Sequence, residues 1–241
     1  MLGAVRPARQ IDRTVAGNKG NSMQHKPYGP YERFIKRPLD CVLAACAFVV
    51  LLPILGVLAI LVRVKLGAPV LFSQERPGRG EKPFRLKKFR SMTDARDEQG
   101  NLLPDEVRLT KFGKLLRATS LDELPELLSI IKGDMAIVGP RPLLIKYLPY
   151  YTEEQHKRHA VRPGLTGFAQ VHGRNSLNWD EKLRMDVEYA SHITFAGDVK
   201  IVLKTVGKVF KREGISSGTS ATMEDFRDYC KSIGRVPDDA E

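Results

Sequence analysis

Residues 41–62 read CVLAACAFVVLLPILGVLAILV, an apolar run of 22 positions without a charged side chain, and this run decides the fold. As an α-helix it would be about 33 Å long, which matches the roughly 30 Å hydrocarbon core of a bilayer. It begins too far into the chain and is too long for a secretory signal, and no small-residue cleavage site follows it. The run therefore predicts a membrane helix that stays in the mature protein.

Two features bear on how this helix sits in the bilayer. Basic residues lie on both sides of it, with Arg33, Lys36 and Arg37 before the run and Arg63 and Lys65 after it. Positive flanks favour the cytoplasmic side. Pro53 removes a backbone donor near the middle and kinks or breaks the helix. These features allow two placements: a single span with a tolerated proline, which composition alone slightly favours, and a re-entrant helix broken at Pro53.

Composition limits the remaining possibilities. The chain has 241 residues, and 39 Lys and Arg against 28 Asp and Glu give it a net charge of +11. This length supports one compact domain with an appendage. The three cysteines form no disulfide framework, so the chain is typical of a reducing compartment. The positive charge indicates an anionic partner, which could be nucleic acid, an acidic lipid surface or a phosphate-bearing substrate.

The rest of the chain predicts an α+β fold that is mainly helical, with a few short strands. We divide it into an N-terminal tail (1–30), an amphipathic segment with the membrane helix (31–66), a cytosolic catalytic domain (67–226) and a C-terminal tail (227–241). Alternation predicts strands at 69–74 and 84–89, separated by a turn. Helical periodicity predicts helices around 105–118, 123–132, 151–159, 179–190 and 198–212.

The second predicted strand, FRLKKF, interleaves basic and aromatic residues. Such a pattern also suits single-stranded nucleic acid. The sequence has no zinc finger, RNA-binding motif or helix-turn-helix pattern to support that use. Beside a membrane helix, the pattern favours a basic strand facing acidic lipid, and we expect no nucleic-acid partner.

Residues 120–126, SLDELPE, hold the most informative local pattern. Ser120 and Glu123 have the spacing of a capping box, and Asp122 is an alternative cap before Pro125. Either cap places carboxylates at a helix N-terminus. Besides capping, adjacent carboxylates in a basic region can divide the work of phosphoryl transfer. One can attack phosphorus while its neighbour holds a divalent cation.

Several basic residues could clamp phosphate oxygens around these carboxylates. Arg141 stands out because Pro140 and Pro142 fix the backbone on either side of it. The other candidates are Lys87, Lys88, Arg90, Arg117, Arg158, Arg162 and Arg174. A guanidinium matches the geometry of phosphate, although any one of these residues taken alone is more often an ordinary surface residue.

The chain also contains longer strings that resemble those of the bacterial sugar transferase family, the monotopic polyprenyl-phosphate phosphoglycosyl transferases. The likeness runs from about residue 31 to residue 226 and is closest to the small members of the family. It is carried by RPLD (37–40), RPG (76–78), KKFRSM (87–92), RLTKFGKLLRATSLDELPEL (108–127), KGDMAIVGPRPLL (132–144) and HAVRPGLTGFAQVHGRN (159–175).

This resemblance implies a reaction and its residues. A sugar 1-phosphate would pass from a UDP-sugar to polyprenyl (undecaprenyl) phosphate, with release of UMP, through a covalent enzyme intermediate. By motif, Asp122 is the nucleophile and Glu123 is a Mg²⁺ ligand. The phosphate-binding residues implied are Lys88, Arg117, Arg141 and Arg174.

The resemblance further implies a re-entrant helix broken at Pro53 in the bacterial inner membrane, with the catalytic domain facing the cytoplasm. The implied partners are a UDP-sugar, polyprenyl phosphate and membrane lipids. Leu52 stands where the small members often have serine, and Phe168 where tryptophan is common. Two other functions remain open at this point: a non-catalytic basic scaffold on the membrane, and a glycosyltransferase that moves only the sugar and releases UDP.

Overall fold

A computed structural model describes residues 25–173, 177–211 and 224–236, and its architecture is the predicted α+β fold with a long apolar helix near the N-terminus. The helices are α1 (Lys36–Leu66), α2 (Asp105–Arg108), α3 (Lys111–Ala118), α4 (Leu127–Lys132), α5 (Glu153–His156), α6 (Phe168–His172), α7 (Trp179–Ser191), α8 (Phe195–Lys211) and α9 (Phe226–Ser232). The strands are β1 (Leu71–Pro77), β2 (Pro83–Phe89), β3 (Ala136–Val138) and β4 (Gly164–Thr166).

Helix α1 is the apolar run. A π-helical turn, Tyr31–Ile35, precedes it, and the whole segment is long and apolar enough to cross a membrane. Only 11% of its most apolar window is buried, which distinguishes it from the core helix of a soluble protein. The predicted break at Pro53 does not end the helix, which continues to Leu66. Proline removes a single N–H, and bending can relieve the clash with the preceding turn.

The globular part covers one face of α1 on both sides of Pro53. Before the proline, Ala44 packs in a cluster with Leu127 and Ile130 of α4. After it, residues of α1 pack against Phe89 of β2 and Leu116 of α3. The helix residues of this second cluster are Leu55, Leu58, Val62 and Leu66. Both halves of the apolar helix therefore rest on the same globular body.

Strands β1 and β2 form the predicted antiparallel hairpin, with Leu71 opposite Phe89 and Pro77 opposite Pro83. A 3₁₀ turn at Arg79–Glu81 joins them. The alternation of β2 buries Leu86, leaves Lys87 exposed and turns Lys88 partly inward. The hairpin thus presents one of its lysines to the interior of the fold.

A second, parallel strand pair joins β3 to β4 and was not predicted from the sequence. Ala136 pairs with Gly164, and Val138 pairs with Thr166. The two backbones approach so closely that a Cβ on Gly164 would lie 2.1 Å from the nitrogen of Gly139. Three-residue strands are too short to show a period of two, so this pairing leaves no alternation in the sequence.

The helical predictions hold for α7 and α8 and need correction elsewhere. The predicted helix at 105–118 is divided into α2 and α3, because the Thr110 side chain caps a new helix by accepting from the Gly113 amide. The predicted helix at 123–132 begins as a 3₁₀ turn, Leu121–Glu126, before α4. The segment 151–159 likewise ends in a 3₁₀ turn, Lys157–Ala160.

Helix α9 lies mostly in the segment that the sequence analysis assigned to the C-terminal tail. Phe226 and Cys230 are fully buried in a cluster with Tyr147, Tyr151 and Trp179. Asp225 caps the helix by accepting from the Arg227 amide. These contacts make α9 part of the folded core.

We therefore expect Phe226→Ala to destabilise the protein by about 3–5 kcal/mol, the usual loss for a buried phenylalanine. Thermal unfolding of the detergent-solubilised protein measures this effect. Ile233→Ala, just beyond α9, is the control because Ile233 is 47% exposed, and it should leave the midpoint nearly unchanged. Equal midpoints for the two variants would contradict the packing of α9.

Candidate active site

The paired carboxylates lie on the 3₁₀ turn Leu121–Glu126, immediately before α4. Neither capping prediction is correct. Ser120 has a left-handed backbone with φ of 55°, and its side chain caps no amide. The Glu123 amide instead donates to the Ser120 carbonyl at 3.2 Å, which closes the turn. The carboxylates are thus held by a tight turn rather than by a cap.

The turn lies chiefly against β2 and reaches the apolar helix through a shared hydrophobic cluster. Leu121 and Leu124, which bracket the two carboxylates, pack against the cluster formed by the second half of α1. Leu127, one residue beyond the turn, packs with Ala44 in the first half of the helix. The carboxylates therefore lie near the central part of α1, on a turn that shares a hydrophobic cluster with the second half of that helix and is followed directly by a residue that packs with the first half.

Three of the predicted basic residues surround these carboxylates. Lys88, Arg117 and Arg141 all act electrostatically on Asp122. The Arg141 guanidinium donates from Nη2 to Glu123 Oε1 at 2.6 Å. Arg117 is oriented by Ser91, whose Oγ accepts from its Nε at 2.8 Å. The structure therefore brings together residues from β2, α3, the 3₁₀ turn and the segment after β3.

Burial and charge perturb the titration of this group. Asp122 is 4% exposed, and its burial together with the Glu123 charge raises its pKa to about 6, against the opposing effect of the cations. Burial lowers the pKa of Lys88. The neighbouring Glu123 raises the pKa of the Arg141 guanidinium. Asp122 is therefore an ionised, poorly solvated carboxylate at neutral pH.

Glu126 is a third carboxylate that the sequence analysis did not single out. It is 5% exposed, and its pKa is raised by burial and by the Glu123 charge. It lies three residues after Glu123, which puts the two on the same side of a 3₁₀ turn, so the spacing could have identified it. The site thus concentrates three carboxylates against three cations.

Two further arginine predictions have different outcomes. Arg174 lies outside the described residues. Arg158 does not reach the site as a phosphate clamp, because its side chain is 1% exposed and pairs with Asp186 at 2.7 Å. A guanidinium enclosed in this way is not accessible to a ligand. Its hydrogen bonds give it a structural role instead.

The oxygen-rich dyad suits a hard cation. Mg²⁺ usually takes one or two protein carboxylates and completes its shell with water and substrate phosphate. Asp122 and Glu123 supply such oxygens beside basic residues that would hold the phosphate. The residues present therefore fit the magnesium site expected from the sequence.

A separate group of possible metal ligands, Glu81, His156 and His159, lies within 4.8 Å. Arg158 Nη1 donates to His159 Nε2 at 3.2 Å. A neutral imidazole that accepts at Nε2 carries its proton on Nδ1, the nitrogen facing Glu81. That proton opposes metal coordination and has no hydrogen-bond partner among the described residues. The link between the β1–β2 turn and residues 156–159 is the hydrogen bond of His156 Nδ1 with Glu81.

An exposed apolar helix joined to a basic site with buried carboxylates defines a membrane-attached enzyme for phosphate-bearing substrates. The family comparison agrees with this class. Residues 31–212 match the model of the family described as "Bacterial sugar transferase". The match covers well over half of the chain, and the protein belongs to this family.

Individual relatives support the same assignment. The chain is 53% identical over 184 residues to the "Uncharacterized sugar transferase EpsL" of Bacillus subtilis (strain 168), a match that covers 76% of this chain and 89% of that protein. It is 38% identical over 195 residues to the "UDP-glucose:undecaprenyl-phosphate glucose-1-phosphate transferase" of Caulobacter vibrioides, with 75% and 73% covered. The Escherichia coli (strain K12) protein of that same name is 37% identical, with 76% of this chain and 42% of that protein covered.

The perturbed Asp122 predicts a stability effect. Because its folded-state pKa is about 6 rather than 3.8, the charged form destabilises the folded state. We expect Asp122→Asn to raise the free energy of unfolding by up to about 3 kcal/mol in magnesium-free buffer. The gain should be complete above pH 6, shrink as Asp122 protonates and vanish below the unfolded-state pKa.

Chemical unfolding at pH 7 and pH 4.5 measures this difference. Glu75→Gln is the control, since Glu75 is 59% exposed and makes only a long surface ion pair with Arg85. It should change stability little at either pH. A loss of stability in Asp122→Asn at pH 7 would show that Asp122 is stabilised, not strained, in the folded state.

Proposed function

We propose that this protein transfers a sugar 1-phosphate from a UDP-sugar to polyprenyl phosphate and releases UMP. The observation that carries the proposal is the position of Asp122 and Glu123: a basic-lined carboxylate pair flanked by Leu121 and Leu124, which pack in the hydrophobic cluster that α1 shares with β2 and α3. A lipid phosphate cannot leave the bilayer and a nucleotide sugar cannot enter it. Their reaction requires a site at the membrane surface. A carboxylate pair near the apolar helix supports such a site.

The names of relatives support the reaction class. The Caulobacter vibrioides and Escherichia coli proteins are named for transfer of glucose 1-phosphate to undecaprenyl phosphate. The Aeromonas hydrophila relative, 34% identical, is named "UDP-N-acetylgalactosamine-undecaprenyl-phosphate N-acetylgalactosaminephosphotransferase". These names share the lipid acceptor and differ in the sugar. We therefore propose the same acceptor class for this chain and no particular sugar donor.

In the first step, an ionised Asp122 oxygen attacks the phosphorus that bears the sugar. The new Asp–O–P bond forms as the bond from that phosphorus to the bridging diphosphate oxygen breaks, and UMP leaves with the bond's electron pair. Lys88, Arg117 and Arg141 offset the negative charge that builds on the phosphate oxygens. The low exposure of Asp122 leaves its carboxylate poorly hydrated and therefore reactive.

In the second step, an oxygen of polyprenyl phosphate attacks the same phosphorus. The Asp–O–P bond breaks, polyprenyl diphosphate sugar forms and Asp122 returns as a carboxylate. One nucleophile thus serves two substrates in turn, which lets a small site accept a soluble donor and a lipid acceptor without holding both together.

Magnesium would be held by Glu123, next to Asp122. When bound, it neutralises diphosphate oxygens and favours departure of UMP. Glu123 also accepts a hydrogen bond from Arg141. A cation bound at Glu123 would therefore lie next to the arginine that we expect to bind the phosphates.

We further propose a monotopic placement in the bacterial inner membrane, with the globular part on the cytoplasmic side. Contacts on both halves of α1 support it, since a helix crossing the bilayer would carry one half away from the domain. Basic residues at both helix ends favour the same side. The exposed apolar side chains Phe195, Val199 and Leu203 on α8 add a second surface suited to the lipid interface.

Nucleotide release tests the reaction. Purified protein in nanodiscs with undecaprenyl phosphate, magnesium and a panel of UDP-sugars should release UMP, and Asp122→Asn should lower the rate at least about 10³-fold, because the covalent step is lost. Release of UDP would identify transfer of the sugar alone. Neither nucleotide with any donor would favour a non-catalytic membrane scaffold.

Glu123→Gln tests the magnesium role separately. We expect the concentration of magnesium needed for half-maximal turnover to rise by about tenfold or more, because a neutral amide binds Mg²⁺ more weakly than a carboxylate does. Glu75→Gln serves again as a charge-matched control. An unchanged magnesium response in Glu123→Gln would remove this assignment.

Cysteine labelling tests the placement in the membrane. In a background without the native cysteines, Lys26→Cys and Lys65→Cys should both resist a membrane-impermeant maleimide in intact spheroplasts and react after lysis. Reaction of one position before lysis and the other only after it would establish a spanning helix instead.

A further inference from the structure

Residues 140–142, Pro-Arg-Pro, pose a hydrogen-bonding problem that regular structure cannot solve. Neither proline has an N–H, and the segment belongs to no strand or helix. Its carbonyl groups nevertheless need donors wherever water is excluded. The partners that the fold supplies therefore show what holds the segment in place.

Each of the three carbonyl oxygens accepts a hydrogen bond from a different part of the protein. The Gly164 amide of β4 donates to Pro140 at 3.0 Å. Arg158 Nη2 donates to the Arg141 carbonyl at 2.6 Å. Arg76 Nη1, at the end of β1, donates to the Pro142 carbonyl at 3.3 Å. The backbone on both sides of the Arg141 side chain is thus tied to the body of the enzyme.

Arg158 is itself rigidly fixed. Its Nε and Nη2 donate to Asp186 of α7 at 3.1 and 2.7 Å, and its Nη1 donates to His159. Asp186 is also buried. A buried ion pair with several charge-assisted hydrogen bonds has little freedom to move, so the carbonyl that Arg158 holds is a fixed point.

Arg76 holds the next carbonyl along the segment, that of Pro142. Its Nη2 donates to Gln74 at 2.7 Å, while its Nε is buried without a hydrogen-bond partner among the described residues. A buried cation with an unsatisfied donor next to Arg141 lowers stability. An arrangement that lowers stability is better explained by a functional role than by a role in folding.

We propose that Arg158 and Arg76 are positioning residues that aim the Arg141 guanidinium at the phosphate by holding the carbonyls of residues 141 and 142. The proposal rests on the function proposed above. The Arg141 side chain is 47% exposed and contacts Glu123, so its aim depends chiefly on the backbone that carries it. Neither positioning residue needs to touch substrate.

A double-mutant cycle tests whether the two residues act through Arg141. We expect Arg158→Lys, which keeps the charge but loses the fork of donors, to lower kcat by roughly 10- to 100-fold with little change in KM. In an Arg141→Lys background the same change should cost less than about threefold, because the group it positions has already been altered. Arg76→Gln should behave in the same way.

Arg37→Lys provides the matched control. Arg37 also holds backbone carbonyls, since its Nη1 and Nη2 donate to Ile130 and Ile131 at 3.1 and 3.0 Å, but it is not tied to residues 140–142. Its effect should be the same in both backgrounds. If Arg158→Lys and Arg76→Gln also lose the same factor in both backgrounds, their roles are structural and the proposal is overturned.

Hydrogen exchange gives a readout that needs no turnover. Arg158→Lys and Arg76→Gln should speed exchange at the Gly139 and Gly164 amides, which bond to Thr166 and Pro140, and Arg37→Lys should not. Should Arg158→Lys fail to fold, Arg76→Gln carries the test, because Arg76 donates to an amide and a carbonyl rather than to a buried carboxylate.

The two measurements separate this inference from the proposed reaction. A wild-type protein that releases no UMP would defeat the reaction, and exchange would still decide whether the arginines hold the segment. Unchanged exchange in both variants would overturn the positioning role even if the wild-type enzyme is fully active.

Discussion

The packing of the 3₁₀ turn Leu121–Glu126 into the hydrophobic cluster shared by α1, β2 and α3 is the constraint on which the rest of the structure depends. Leu121 and Leu124 pack in this cluster with the second half of α1, so Asp122 and Glu123 between them are fixed near a segment suited to the bilayer. Hydrophobic burial is non-directional and would by itself allow the turn to slide. The tight turn geometry and the contacts of Leu127 with the other half of α1 restrict it to one position.

This position is electrostatically costly, and the surrounding charges show how the cost is reduced. Three carboxylates lie within one turn, and two of them have raised pKa values because burial and mutual repulsion disfavour ionisation. Lys88, Arg117 and Arg141 offset only part of this effect. In the proposed reaction, a divalent cation that binds together with the substrate phosphates would reduce this repulsion between carboxylates. Catalytic centres commonly keep such imbalance at the expense of stability.

The elements that could be predicted from the sequence are those marked by a local pattern of residues. The apolar run, the hairpin and α7 follow from periodicity and length, and the grouping of Lys88, Arg117, Asp122, Glu123 and Arg141 followed from family motifs. Periodicity could not reveal β3 and β4, because three residues carry no alternation and the pairing depends on close approach of Gly139 to Gly164. The role of Arg158 was equally hidden. Its partner Asp186 is 28 residues away, and only the folded chain shows that the two are enclosed together.

The rigidity of residues 140–142 has a mechanistic reason in the proposed two-step reaction. The same phosphorus is attacked twice, first by Asp122 and then by the lipid phosphate, so the groups around it must stabilise two transition states with opposite directions of attack. A flexible arginine would follow the first leaving group and lose its position for the second. Prolines restrict the backbone dihedrals, and donors from β1, β4 and residue 158 restrict its location. An arginine fixed in this way stabilises charge in both steps without reorganising between them.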